Sequence, residues 1–314
     1  MKKLISFLVL VRSLNLVFIL LTQLLFYYCI VMPTYESFQR VPILDAGLFY
    51  ILVLASVLIA AGGYVINDYF DLNIDKINKP KRMVIDKSIG RRWAMFFHMT
   101  MSVTGLLLSG FIAWKIKNVF LFGFNACSIL LLWYYSTTLK KKLLIGNVVI
   151  SLLTAWVIGV ILLCEFNTRE IQDPIAQAAF IKIYKMAVLY GGFAFVISMI
   201  REIIKDMEDA DGDRKYGCKT VPIVWGFSTA KILVLVLLVF LLAVFVVFMG
   251  YALLQKWIVI FVFLLLIVFF QLIPVMRAVQ TGNTSEAYHR ISNKIKLLML
   301  SGIGSMLLFY FYSL

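Results

Sequence analysis

AGLFYILVLASVLIAAGGYVINDYFDLNIDKINKPKR, residues 46–82, holds the two features that decide the architecture. Residues 46–66 are an unbroken apolar run. A helix needs about 20 such residues to cross roughly 30 Å of hydrocarbon. The run gives way abruptly to Asn67-Asp68-Tyr69-Phe70-Asp71-Leu72-Asn73-Ile74-Asp75, where carboxylates recur at i, i+3 and i+7. On a helix, Asp68, Asp71 and Asp75 fall within a roughly 60° arc of one face, and Asn67 widens the arc to about 100°.

Eight further apolar runs lie at approximately 14–33, 93–113, 118–136, 143–164, 183–204, 229–251, 257–276 and 293–313. Only helices or closed barrels satisfy their backbone inside lipid, and continuous rather than alternating runs mean helices. The predicted fold class is an all-α integral membrane protein, a bundle of nine transmembrane helices. Composition agrees. Of 314 residues, 62% are hydrophobic and 15% charged, with mean hydropathy +0.95. Soluble domains carry about 45–50% and about 25%. A soluble enzyme, a disordered chain and a disulfide scaffold are excluded.

The net charge of +14 invites a nucleic-acid reading, but in so apolar a chain the cytoplasmic excess of Lys and Arg explains it. With the N-terminus cytoplasmic, inner segments hold 23 of the 30 Lys and Arg. An odd number of spans then puts the C-terminus outside. Met1-Lys2-Lys3 and the short apolar stretch after it resemble a signal peptide. Arg12 interrupts that stretch and no small-residue cleavage site follows, so an interfacial helix leading into the first span is expected. With no organelle-targeting segment, a prokaryotic plasma membrane is the default. Cys29, Cys127 and Cys164 read as small core hydrophobes; Cys218 completes a set without metal spacing. Only His98 and His289 are present, which excludes a haem or multi-His site. His98, inside a span, reads as a satisfied core residue.

A second charged segment runs from Arg201 to Thr220. Asp206, Asp209 and Asp213 repeat the i, i+3, i+7 spacing, Glu202 extends the face, and Gly212 is the expected break. Asp209-Ala210-Asp211-Gly212 lacks the EF-hand frame. Each carboxylate would cost roughly 2.5–3.5 kcal/mol at the bilayer centre. The clusters must therefore lie at the surface or line a wet cavity, offset by something cationic. Hard oxygen donors without His or Cys point to Mg²⁺, with Mn²⁺ the alternative. Two such faces can clamp one diphosphate through bridging metal ions. The neighbouring Lys79, Arg82, Arg201, Lys205 and Arg214 suit the remaining phosphate oxygens. Lys140-Lys141-Lys142 is either a topology anchor or a phosphate site. The rival classes are a transporter and a non-catalytic membrane scaffold. A transporter more often carries its carboxylates mid-span on broken helices.

Asn67-Asp68-x-x-Asp71-x-x-x-Asp75 resembles the first aspartate motif of the UbiA-type intramembrane prenyltransferases, continued by Asn78-Lys79-Pro80-x-Arg82. Asp209-x-x-x-Asp213 with Gly217 and Lys219-Thr220 resembles the second. Tyr135-Ser-Thr-Thr-Leu-Lys140, with Gly146-Asn147 after it, is similar to the family's Tyr/Lys motif, one residue longer than usual. The resemblance covers nearly the whole chain. It implies a single UbiA-like domain over 1–314, nine helices around a central cavity open laterally to lipid, and Mg²⁺-dependent transfer from a polyprenyl diphosphate. It implies metal ligands Asp68, Asp71, Asp75, Asp209 and Asp213 with Asn67 assisting, and catalytic roles for Asp71, Asp209, Tyr135 and Lys140. Residues 201–214 are similar to the geranylgeranylglyceryl-phosphate geranylgeranyltransferases of ether-lipid synthesis, which favours geranylgeranyl diphosphate and a glycerol-phosphate-type alcohol as substrates. The alternative acceptor is an aromatic acid, 4-hydroxybenzoate or a naphthoate, in quinone synthesis. The expected partners are membrane lipid and these two substrates, with no nucleic acid and no obligate protein partner.

Overall fold

The computed structural model describes residues 2–78, 80, 83–166 and 173–312. Among them, nine helices are long and apolar enough to cross a membrane, and no strand occurs. A short helix α1 (Lys2–Leu10) is followed by α2 (Ser13–Ser37), α3 (Ala46–Asn78), α4 (Arg91–Ile116), α5 (Val119–Thr137), α6 (Ile145–Cys164) and α7 (Pro174–Glu208). Then come a short α8 (Ala210–Lys215), α9 (Gly226–Leu254), α10 (Ile258–Thr281) and α11 (Ser285–Tyr312). The chain is an integral membrane protein, and its many exposed Leu, Val, Ile and Phe side chains are its lipid-facing surface.

All nine expected spans are present, but several helices outrun their apolar runs. The run ending at 66 continues as helix to Asn78, and the one beginning at 183 starts at Pro174. A helix stops where a breaker stops it rather than where lipid ends. Nothing between Ile66 and Asn78 interrupts the hydrogen-bond ladder, and Pro80 follows shortly after. The first acidic motif therefore rides on the last turns of a spanning helix.

The chain divides into two compact units, residues 1–140 with 156–187, and 141–155 with 188–314. In the first unit α3 packs along α4 and α5. Small residues let the backbones close in. A Cβ at Gly62 would meet Ser102 Oγ at 2.7 Å, and one at Gly105 would meet Ile59 Cγ1 at 2.8 Å and the Ala55 carbonyl at 3.0 Å. Without a hydrophobic force between helices in lipid, such close contact is what holds them together. His98 is buried, with Nδ1 2.9 Å from the Gly62 carbonyl oxygen, a satisfied core residue as expected. At the end of this unit away from the acidic motif, the buried Glu165 carboxylate accepts from the amides of Ile43 (3.0 Å) and Leu44 (3.2 Å).

In the second unit the C-terminal half of α7 packs with α9, α10 and α11 around Ile200, Ile204, Val234, Leu238, Leu272 and Ile295. Single π-turns interrupt α2 at Tyr27–Val31 and α10 at Val268–Leu272. Each lies just before a proline, Pro33 or Pro274. A proline removes one donor and crowds the carbonyl a turn earlier, and a π-turn relieves both.

Cys29 and Cys164 are buried as expected, whereas Cys127 is exposed on α5. Its span is apolar on every side, so apolar neighbours in the sequence do not separate a core position from a lipid-facing one. Replacing Gly105 with Val should drive a side chain into Ile59 and Ala55 and cost about 1–3 kcal/mol, read as a lower melting temperature in detergent. Gly90→Val, where a Cβ meets nothing within 4 Å, is the control.

Candidate active site

The first acidic cluster occupies the last turns of α3. Asp71 is gripped from two sides. Lys140 Nζ forms an ion pair with its Oδ1, and Asn67 Nδ2, one turn earlier, donates to its Oδ2 at 2.9 Å. Lys140 and Asp71 are only 11% and 16% exposed, so the pair lies largely out of water. Lys140 reaches the motif from the short 3-10 turn Leu139–Lys141 that follows α5. Tyr135 lies half-buried in the last turn of α5.

Asp68 is held by Arg12, a residue read from the sequence only as a charge that interrupts the first apolar stretch and counts toward topology. Arg12 Nη2 donates to Asp68 Oδ1 at 2.6 Å, and its guanidinium lies 5.3 Å from the centre of the Tyr64 ring. Tyr64 and Asp68 are one helical turn apart. Arg12 adopts a left-handed backbone, φ 50°, between α1 and α2. That conformation costs a non-glycine residue roughly 1–2 kcal/mol, and the ion pair with its cation–π contact offsets the strain. Burial works against the charged guanidinium, but the Asp68 carboxylate outweighs it and holds Arg12 more firmly protonated than usual. An arginine interrupting an apolar stretch was the available signal, because an ionisable residue there needs a partner.

Asn67 supplies the test of whether the motif suits a hard cation. Its Oδ1 is buried and has no hydrogen-bond partner. Its own amide nitrogen donates to the Asp71 carboxylate, which leaves a buried amide oxygen with an unused lone pair one turn from that carboxylate, both of them hard oxygen ligands. That chemistry fits Mg²⁺. Among the described residues no three His, Cys, Asp or Glu side chains are grouped to hold a metal. Asp68 and Asp71 are instead compensated by Arg12 and Lys140. Asp75 lies further along the same helix, half-buried. Lys79 and Arg82 lie outside the described residues.

The second cluster departs from its expected register. The break falls at Asp209, not at Gly212. Helix α7 ends at Glu208, and Asp209 has φ −96° and ψ 3° before α8 begins. Gly212 is buried within α8. The turn is tight. The Asp209 amide still donates to the Lys205 carbonyl at 2.9 Å, and the Asp213 amide to the Asp209 carbonyl at 3.2 Å. Asp206 thus lies on α7, Asp213 on α8 and Asp209 at the break between them, rather than on one helix face. Asp206 is turned to Asn147, whose Nδ2 donates to its Oδ2 at 2.8 Å. Gly217, at φ +68°, lets the chain leave α8, and the Lys219 amide then donates to the Lys141 carbonyl at 2.8 Å.

Of the basic residues assigned to phosphate, Arg201 and Lys205 gather on Glu202, at 3.0 and 3.3 Å. Arg201 Nε is buried without a partner, a donor left available to an anion. Arg214 is exposed on α8. Sequence reasoning did not assign Glu208 and His289, joined at 2.8 Å.

Nine lipid-crossing helices among the described residues, with acidic clusters at helix ends and cations or an amide beside Asp68, Asp71 and Asp206, define a polytopic membrane protein. Residues 30–300 match the UbiA prenyltransferase family, and the chain belongs to that family. The match takes in both compact units. The chain is 30% identical over 258 residues to the digeranylgeranylglyceryl phosphate synthase of Methanosphaera stadtmanae, covering 80% of this chain and 85% of that one. It is 35% identical over 187 residues to the synthase of the same name from Methanothermobacter thermautotrophicus, where the aligned part spans 58% of either chain, less than two thirds. The solved UbiA homologue from Archaeoglobus fulgidus bound to GPP and Mg²⁺ shares the fold, with TM-score 0.56 and 16% identity over 96% of this chain and 99% of that one.

The Asp71–Lys140 pair should show in a double-mutant cycle. Asp71→Asn and Lys140→Met each leave one buried charge alone, so the double variant should lose less stability than the two singles together. The coupling expected is about 1–2 kcal/mol, measured by denaturation in detergent; additive losses would remove the pair from the account.

Proposed function

We propose that residues 1–314 act as one UbiA-like domain that transfers a prenyl group, geranylgeranyl by preference, from its diphosphate to a glycerol-phosphate-type alcohol in ether-lipid synthesis, with Mg²⁺ as cofactor. The observation that carries this reading is the end of α3, where Asn67, Asp71 and Lys140 meet and Asn67 Oδ1 is buried without a partner. The names of the relatives support the acceptor, and the A. fulgidus homologue, bound to GPP and Mg²⁺, supports the donor and the metal.

The proposed metal ligands are Asn67, Asp68, Asp71 and Asp75 on the first motif and Asp209 and Asp213 on the second. Mg²⁺ bound there would supply Lewis-acid stabilisation of charge on the diphosphate oxygens. The allylic C1–O bond breaks and its electron pair leaves with the diphosphate. An acceptor oxygen bonds to C1, and the hydroxyl proton passes to the released diphosphate. Lys140 and Arg12, already beside the first motif, are cations for the diphosphate oxygens. Apolar walls exclude water that would capture the allylic cation. Charge balance favours joint binding. Asp68 and Asp71 are already neutralised by Arg12 and Lys140, so a divalent cation enters more easily with an anion than alone.

Arg201 supports a phosphate-bearing acceptor, because its buried Nε lacks a partner even though another guanidinium nitrogen reaches Glu202. Lys205 stands on the same carboxylate, and Arg214, Lys79 and Arg82 complete the proposed basic set. Tyr135 is proposed to act beside Lys140. The placement of the carboxylates at helix ends supports an enzyme over a transporter. The proposed setting is a prokaryotic plasma membrane with the N-terminus inside and the C-terminus outside.

Membranes holding the protein should convert labelled geranylgeranyl diphosphate with geranylgeranylglyceryl phosphate, stop when EDTA removes Mg²⁺, and give no product with 4-hydroxybenzoate or a naphthoate. Asp71→Ala and Asp209→Ala should lower turnover by about 10²–10³-fold or more with the fold intact. Prenylation of the aromatic acids alone would transfer the proposal to quinone synthesis.

A further inference from the structure

We infer that Ser285 and His289, on the first turns of α11, are positioning residues that fix the direction in which Asp209 leaves α7. The inference rests on the reading of Asp209 as a metal ligand.

The chain turns at a single peptide, between Glu208 and Asp209. That peptide is held from both sides. Its N–H, from Asp209, donates to the Lys205 carbonyl at 2.9 Å. Its carbonyl, from Glu208, accepts from Ser285 Oγ at 2.9 Å. A carbonyl in the last turn of a helix has no partner within the helix, so a side chain from elsewhere is the natural way to satisfy it. The Glu208 side chain is held as well, with Oε1 2.8 Å from His289 Nδ1. Asn293, one turn further on, has Nδ2 3.2 Å from His289 Nε2. When Nε2 accepts, Nδ1 carries the proton and donates to Glu208. The ring is thereby held at both nitrogens.

The post itself is rigid. Thr284 caps α11 by accepting from the Ala287 amide at 3.2 Å. Tyr288 and Ile291 are buried, and the Tyr288 ring stacks on Phe227 with centroids 6.0 Å apart. A fixed helix thus holds the last peptide and the last side chain before the turn that carries Asp209. Groups standing behind a metal ligand typically set its affinity for the ion by 10–100-fold.

The test uses the full-length protein in detergent with geranylgeranyl diphosphate and geranylgeranylglyceryl phosphate, titrating Mg²⁺. His289→Ala should raise the half-saturating Mg²⁺ concentration about tenfold, with KM for the acceptor unmoved and little change in melting temperature. Ser285→Ala should move it the same way. His289→Gln, which can still donate to Glu208, should restore it. A purely structural role would lower the melting temperature without a selective change in Mg²⁺ dependence. An unmoved Mg²⁺ midpoint in His289→Ala and Ser285→Ala, with Asp209→Ala inactive, overturns this inference alone. Retained turnover in Asp209→Ala overturns the metal-ligand reading and this inference with it.

Discussion

Carboxylates stacked at the end of a lipid-embedded helix repel one another, and five acidic side chains at this chain's polar ends are each met by a cation or an amide. Asp68 meets Arg12, Asp71 meets Lys140 and Asn67, Glu202 meets Arg201 and Lys205, Asp206 meets Asn147, and Glu208 meets His289. Away from bulk water an unpaired charge costs far more than at an exposed surface. The partners are therefore a condition of these helices ending where they do. They also leave particular atoms unsatisfied, Asn67 Oδ1 and Arg201 Nε, and those are the atoms that a cation and an anion would meet.

The rest of the fold serves to bring those partners within reach. Gly62 and Gly105 let α3 and α4 approach closely, which carries the end of α3 into a crowded neighbourhood. The left-handed turn at Arg12 redirects the chain between α1 and α2, so that a guanidinium near the N-terminus reaches a carboxylate 56 residues away. The π-turns before Pro33 and Pro274 keep long helices continuous across prolines that would otherwise kink or end them.

The fold was readable because lipid imposes a one-dimensional rule. Twenty apolar residues in a row have few alternatives to a spanning helix, and all nine spans appear where hydropathy placed them. Helix ends were less readable, because the hydrogen-bond ladder ignores the lipid boundary; α3 continues to Asn78 through charged residues. The i, i+3, i+7 spacing was sound for the first motif. It failed for the second, where glycine looked like the natural breaker but the turn came at Asp209. Local sequence did not reveal that Ser285, remote in the chain, satisfies the carbonyl exposed by ending the helix one turn sooner. Arg12, Asn147 and His289 went unassigned for the same reason. Each is paired with a residue far away in sequence, and spacing rules see only neighbours on one helix.

The two acidic ends are compensated in different ways, and the difference follows from where their cations originate. In the first unit both counter-charges are full cations brought from outside the helix, by the turn after α1 and by the 3-10 turn after α5. Their ion pairs form only when α2, α3 and α5 are already assembled. In the second unit Glu202 takes its cations from its own helix, one residue and one turn away, and Asp206 takes a neutral amide. The Glu202–Lys205 pair, one turn apart, exists as soon as the helix does. The first motif is thus a product of tertiary packing, while in the second only the pairing of Glu202 is set by local sequence; Asp206 depends on Asn147 and Glu208 on the clamp from α11. Substitutions in helix contacts of the first unit therefore reach its carboxylates through packing, whereas Glu202 keeps its charge balance as long as α7 stays helical.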